Sequence, residues 1–180
     1  MKEARLKETE HGLLPEGEGW YVLNTKDAVW GDSAEFGRYT RWEGDGEARF
    51  QQIGMNIGIM QPGQPACMYH GEEAQEDFLV LAGEGILIVE GEERPLKAWD
   101  FVHCPPWTKH VIVAGGSAPL VVIAVGGRGK PGLVYPVDET ALKHGAGVER
   151  ETSDGDEAYA GTTEVVRTRY VDGDLPVWSS

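Results

Sequence analysis

The chain has 180 residues, 41% of them hydrophobic, with 25 glycines and 10 prolines; this bounds it to about one domain, rich in turns rather than helical. Its 16 basic and 30 acidic side chains give a formal charge of −14, a field that repels phosphates and excludes nucleic acid and anionic membrane surfaces as natural partners. No apolar run reaches membrane-spanning length, and the charged start MKEARLKETEHGLLPEGEG lacks the apolar stretch of a secretory signal, so a cytoplasmic location is expected.

Residues 1–19 are polar and punctuated by glycine, which predicts a flexible or loosely docked arm. Strand chemistry then begins. Residues 20–23, 28–30 and 36–40 are short aromatic and β-branched pieces separated by Asn24, Asp27 and Gly31-Asp32, and residues 50–60 form a longer piece that ends at the turn Pro62-Gly63. Further strands are expected at 66–70, 77–81, 85–90, 93–98, 101–104, 110–114 and 120–125, and the link Glu90-Gly91-Glu92 reads as a hairpin turn because Gly91 tolerates a positive φ. The run from Gly126 to Gly132 predicts a wide loop or linker. Asp138 then caps a short helix over 138–144, with Glu139 in its first turn, Lys143 and His144 in its last, and Gly145 as the stop. An acidic, polar stretch over 149–164 carries one more helical turn at 157–160, a last strand spans 165–170, and 176–180 is expected to fray. Short strands with glycine-rich turns and no alternating long helices give an all-β sandwich or barrel. The organisation expected is an arm at 1–19, a barrel with added N-terminal strands at 20–127, and a C-terminal extension at 128–180 with short helices.

The chemistry is concentrated in two stretches, Gly63-x6-His70-x-Glu72-x3-Glu76-x6-Gly83 and Asp100-x4-Pro105-x4-His110. Side chains alternate along a strand, so His70 and Glu72 share a face, and Glu76 rejoins them if pairing stays regular through the intervening turn. His110 has to come from elsewhere in the fold. Two imidazoles with one or two carboxylates suit Fe(II), Mn(II) or Zn(II) and leave positions open for substrate or dioxygen. The bland alternative has Glu72 and Glu76 facing solvent in the acidic run GEEAQED. Burying two carboxylates without a cation costs several kcal/mol per charge, a cost that a metal removes.

Both stretches resemble the paired motifs of the cupin superfamily, G-x5-H-x-H-x3or4-E-x6-G and G-x5-P-x-G-x2-H-x3-N, over roughly residues 55–125. The resemblance implies a double-stranded β-helix, or jelly-roll barrel, with a divalent metal held by His70, Glu76 and His110. Glu72 stands at the family's second histidine and is expected either as a fourth ligand or as the catalytic acid or base beside the metal. Tryptophan replaces two family glycines, Trp99 at the opening of the second motif and Trp107 in its P-x-G turn, and Ala114 replaces the closing asparagine.

The function expected is that of a metal-dependent enzyme, an oxygenase or an isomerase or lyase, acting on a small polar organic molecule. The alternative is a non-catalytic barrel that binds or senses a sugar or other metabolite, since fold alone does not decide activity. Trp107 and His103 are expected at the pocket rim, Trp107 as an aromatic lid, although His103 also reads as an ordinary structural histidine. Cys67 and Cys104, the only cysteines, read as two buried thiols rather than a disulfide. A homodimer is expected, with residues 20–40 adding strands to a sheet edge of their own chain or of the partner.

Overall fold

Alternating apolar and polar positions, broken by glycine turns, fold into antiparallel sheets in the computed structural model, which describes residues 1–130 and 132–176. In chain order the strands are β1 (Arg5–Thr9), β2 (Gly12–Glu16), β3 (Val29–Ser33), β4 (Gly37–Arg41), β5 (Ile53–Met60), β6 (Gly71–Glu72), β7 (Glu76–Ala82) and β8 (Glu84–Val89). They continue with β9 (Glu92–Lys97), β10 (Phe101–Cys104), β11 (His110–Ala114), β12 (Leu120–Gly127) and β13 (Leu133–Val134). Two short helices, α1 (Glu139–Lys143) and α2 (Gly155–Ala158), precede the final strand β14 (Val166–Thr168).

One sheet has seven strands in the order β10-β7-β12-β5-β4-β3-β14, and it faces a smaller sheet of order β11-β8-β9. The smaller sheet is extended by the segment before β6, which bridges β11 through Pro65 with Val113 and His70 with His110. This pair of facing sheets is the double-stranded β-helix. Between them Met60, Val80, Leu87, Ile112, Leu120 and Val122 form the inner core. A slip of one residue would turn these side chains outward, at about 1.5–3 kcal/mol for each large apolar group exposed, and that fixes the register.

Both sheets are also covered on their outer faces. Trp30, Ile57, Ile59 and Val121 pack under Tyr170 and Leu175 on one side, and Ile88, Val111 and Val113 pack against Ala141 and Ala146 on the other. All five residues of β11 are therefore buried, and the strand reads HVIVA, a continuous apolar run after its histidine.

Several local expectations are met for the stated reasons. Glu90 and Gly91 close a two-residue hairpin between β8 and β9 with φ of 48° and 80°, the paired positive angles that the right-handed twist of a hairpin favours. The Asp138 side chain accepts the Ala141 amide at 2.8 Å, Lys143 lies in the last turn of α1, and Gly145 follows with φ 68°. Residues 29–41 add β3 and β4 beside β5 in their own chain.

Other local expectations need correction. Residues 1–19 are not a loose arm: β1 and β2 pair along their full length, the Leu13 amide donates to the Asp27 carbonyl at 2.7 Å, and Leu14 is buried. Gly12 makes the turn, with φ 125° and no room for a Cβ, which would come within 2.6 Å of the Asp27 carbonyl oxygen. The second concerns 20–23, which form no strand beyond a single bridge from Glu3 to Trp20. The expected wide loop also begins later, since Gly126 and Gly127 belong to β12, while Pro131 and 177–180, the latter in the stretch expected to fray, lie outside the described residues. No helix among the described residues is long and apolar enough to cross a membrane.

Candidate metal centre

The centre is assembled by two strand ends and one bridge. Glu76 opens β7 and His110 opens β11. His70 and His110 exchange backbone hydrogen bonds at 3.2 and 2.8 Å, so their imidazoles emerge side by side with ring centroids 5.1 Å apart. Each ring is oriented by the carbonyl two residues before it: Nδ1 of His70 donates to Met68 O at 2.8 Å and Nδ1 of His110 to Thr108 O at 2.9 Å. With Nδ1 engaged by a carbonyl, each Nε2 is the nitrogen left to face Glu76 or a cation, and both lie 3.1 Å from Glu76 Oε2.

The ligand atoms of His70, Glu76 and His110 all lie within 4.8 Å of one another. Nε2 of His110 is buried and makes no hydrogen bond among the described residues, despite its proximity to Glu76. A buried nitrogen left in that state costs about 1–3 kcal/mol, and a cation at the focus of the three groups satisfies it. Two imidazole nitrogens and one carboxylate oxygen fit Fe(II), Mn(II) or Zn(II), with further coordination positions open. The neighbouring strand β12 keeps clear of the carboxylate because it carries glycine there: a Cβ on Gly126 would sit 3.3 Å from Glu76 Oε1.

Charge is strongly coupled within the cluster when no cation is present. Burial opposes ionisation of Glu76, but the two imidazoles beside it outweigh that and hold the carboxyl down at about 2. For His110, burial again works against the charge, while Cys104 and Glu76 push it up to about 10. His70 is raised in the same sense, against its burial, by Cys67 and Glu76.

Glu72 stands beside this group rather than in it. Half buried, it lines a polar cleft of about 590 Å³ that also contains Glu76, and burial followed by repulsion from Glu76 raises its carboxyl above the usual range. His103 is not at the rim. Val102 and Cys104 on either side of it in β10 point into the core, so His103 is exposed on the outer face, where Nδ1 meets Asp77 Oδ1 at 2.6 Å.

Trp107 and Trp99 keep the glycine-like backbone, with φ of 69° and 76°. The Trp107 amide donates to Glu72 O at 2.7 Å and the Trp99 amide to Val80 O at 2.8 Å, bonds that hold the turns in the left-handed region despite the side chains. The Trp107 indole lies against Gly132, where a Cβ would come within 2.7 Å of it, and it lines neither cavity beside the cluster. The expected lid is therefore a packed turn. Cys67 and Cys104 are free thiols, and Cys67 Sγ lies 3.7 Å from His70 Nδ1.

A second cavity of about 370 Å³ opens between the sheets and is bounded by both His70 and Glu76. Two of its polar wall groups escaped sequence reasoning, Asn56 on β5 and Tyr159 from the turn after α2. The Tyr159 hydroxyl accepts the Met68 amide at 3.1 Å, so the C-terminal extension braces the residue whose carbonyl orients His70. The sole signal for Tyr159 is its position directly after a capped helical turn, and for Asn56 a polar side chain within the apolar run IGMNIGIM.

Residues 56–126 match the family model of the cupin domain. With the double-stranded β-helix around it, this segment belongs to the cupin superfamily. Among solved structures the chain is similar to a polyketide cyclase, RemF, from Streptomyces resistomycificus, at 14% identity over 64% of this chain and 84% of that one, with a TM-score of 0.54. It is also similar to a predicted oxalate decarboxylase from Thermotoga maritima, at 19% identity over 59% of this chain and 98% of that one, TM-score 0.52. Identity reaches 28% with a protein from Acidithiobacillus ferrooxidans proposed as a sugar phosphate isomerase, at TM-score 0.45 over 49% of this chain, which spans 57% of that protein's length. The likenesses to the cyclase and the Thermotoga protein speak for the fold alone. No curated protein matches the chain.

Proposed function

We propose that the protein is a metal-dependent cupin enzyme, an oxygenase or an isomerase or lyase, acting on a small organic molecule. The observation that carries this reading is the convergence of His70 Nε2, His110 Nε2 and Glu76 Oε2, with the His110 nitrogen buried and otherwise unsatisfied. His70, Glu76 and His110 would hold a divalent ion, and such an ion supplies Lewis acidity or a site for dioxygen.

The remaining work falls to the chain. Met68 O and Thr108 O hold the two imidazoles by Nδ1, so that Nε2, once its proton is displaced, is the nitrogen turned to the ion. Glu72, raised above the ordinary carboxylate range by burial and by Glu76, is suited to accept a proton from bound substrate nearer neutrality than a free carboxylate. The apolar inner walls lower the polarity on one side of the centre and strengthen charge interactions there.

The reading is tested by Glu72→Gln in protein loaded with Fe(II) or Mn(II) and screened against small oxygenated substrates for oxygen uptake or product formation. Metal retained with turnover reduced at least about a hundredfold is expected. Ligand binding without turnover in the wild-type protein, whatever the metal, would make it a binding module instead.

A further inference from the structure

The cavity between the sheets has a chemistry of its own. Met60, Phe78, Ile112 and Val122 supply its inner wall and Phe36 its mouth, so most of what a guest would touch is hydrocarbon or aromatic ring. Space is made by residues too small to fill it. Gly58 and Ala124 stand on adjacent strands among these larger side chains, and a Cβ on Gly58 would meet only Met60 Sδ, at 3.4 Å.

The polar groups at the boundary are few, and most are engaged. Ser33 Oγ accepts the Phe36 amide, and Arg38 is ion-paired with Asp174. Others have capacity to spare. The Asn56 carboxamide and the Tyr39 hydroxyl make no hydrogen bond among the described residues, the Tyr159 hydroxyl, which accepts the Met68 amide, donates to none of them, and Arg38 Nε is buried without a hydrogen bond, although Asp32 and Asp174 balance its charge. Asn56 borders both this chamber and the polar cleft, as Glu76 does. The arginines of the cleft already meet carboxylates: Arg41 is paired with Asp45 at 2.9 Å and Arg128 with Glu43 at 2.6 Å, and Arg49 lies 4.0 Å from the same Glu43, with Glu72 and Glu76 adding further negative charge to the cleft.

We infer that the chamber takes the body of a compact aromatic molecule of one or two rings. Its neutral oxygen substituent, a hydroxyl or a carbonyl, is held by Asn56 at the end nearest Glu76. The aromatic body matches the Phe36 and Phe78 rings and the Met60 thioether, and neutrality follows from the paired arginines and the overall charge of −14. This departs from the small polar substrate expected from sequence, which such walls would bind poorly. It rests on the reading of His70, Glu76 and His110 as the reaction centre only for the direction in which the oxygen points.

The test uses 2-naphthol, a neutral fluorescent two-ring alcohol, titrated into the full chain with and without chelator, with oxalate as the small polar competitor. Saturable binding that survives chelation and is not displaced by oxalate is expected. Gly58→Leu and Ala124→Leu fill the chamber from two strands, and each should weaken 2-naphthol at least about tenfold with metal stoichiometry unchanged. Asn56→Leu should erase any preference for 2-naphthol over naphthalene. Absence of 2-naphthol binding to the folded wild-type protein, or unchanged affinity in both leucine variants, overturns the inference while leaving the metal centre standing. Binding of 2-naphthol to a protein that never takes up metal would do the reverse.

Discussion

In the chelated protein, raising the pH should destabilise the fold, and metal should reverse the sign. His70 and His110 have folded-state pKa values above their unfolded ones, so the stability they contribute is fully present below about 6.5 and is lost as pH rises through the folded values, about 10 for His110. Glu76 acts in the opposite sense: its contribution is present above about 4.5 and is lost as pH falls toward about 2. One carboxylate serves both imidazoles, so a conservative count is one proton held by the folded state and released by the unfolded one between pH 6.5 and the folded value. That is about 1.4 kcal/mol per pH unit, or about 3–6 °C in Tm for a chain of this size. All three side chains are less than 20% exposed, and solvent screening reduces the effect little. The assay is thermal unfolding by circular dichroism from pH 6.5 to 9, with EDTA or with added Mn(II), on the wild type and on Glu76→Gln. Tm should fall with pH in EDTA, fall less steeply in Glu76→Gln, and rise with pH when metal is present, because metal must displace the protons. An EDTA slope equal in wild type and Glu76→Gln would refute the charge coupling inferred from the 3.1 Å contacts.

Glu76→Gln should lose metal while Glu72→Gln keeps most of it, by elemental analysis, since only Glu76 offers an oxygen within the convergent group; equal loss would make Glu72 a ligand. Trp107→Gly should change stability by no more than about 1–2 kcal/mol, because relief of left-handed strain offsets the lost contact of a half-exposed indole. It should also leave metal content unaltered, and a metal loss would place the indole nearer the centre than its packing on Gly132 implies. We also propose a homodimer: light scattering at micromolar concentration should give about twice the 19.7 kDa chain mass, and a monomer mass would dismiss it.

What could be read in the sequence was what local chemistry dictates. The Glu90-Gly91 turn and the Asp138 cap each depend on a few adjacent residues, and the spacing from His70 to Glu76 to His110 is a property of two strands and one fold. The outward direction of His103 was also available, from its parity with Val102 and Cys104 in FVHC. The hairpin at Arg5–Thr9 and Gly12–Glu16 was hidden because its exposed face is charged and its apolar contacts, such as Leu14, are made with distant segments. Tyr159 and Asn56 were invisible as site residues for a similar reason: tertiary packing, not spacing, turns them to the cavity. At Trp99 and Trp107, where tryptophan replaces glycine, the backbone bonds to Val80 and Glu72 outweigh the preference of a bulky residue for negative φ, which sequence alone does not show.

Elemental analysis of protein prepared without a polyhistidine tag or chelator decides whether His70, Glu76 and His110 hold a metal ion. About one divalent ion per chain is expected in the wild type, and none in His70→Ala or His110→Ala variants that retain the β-sheet circular dichroism spectrum. A metal-free wild-type protein that cannot be loaded with Fe(II), Mn(II) or Zn(II), or undiminished metal in both variants, would contradict it.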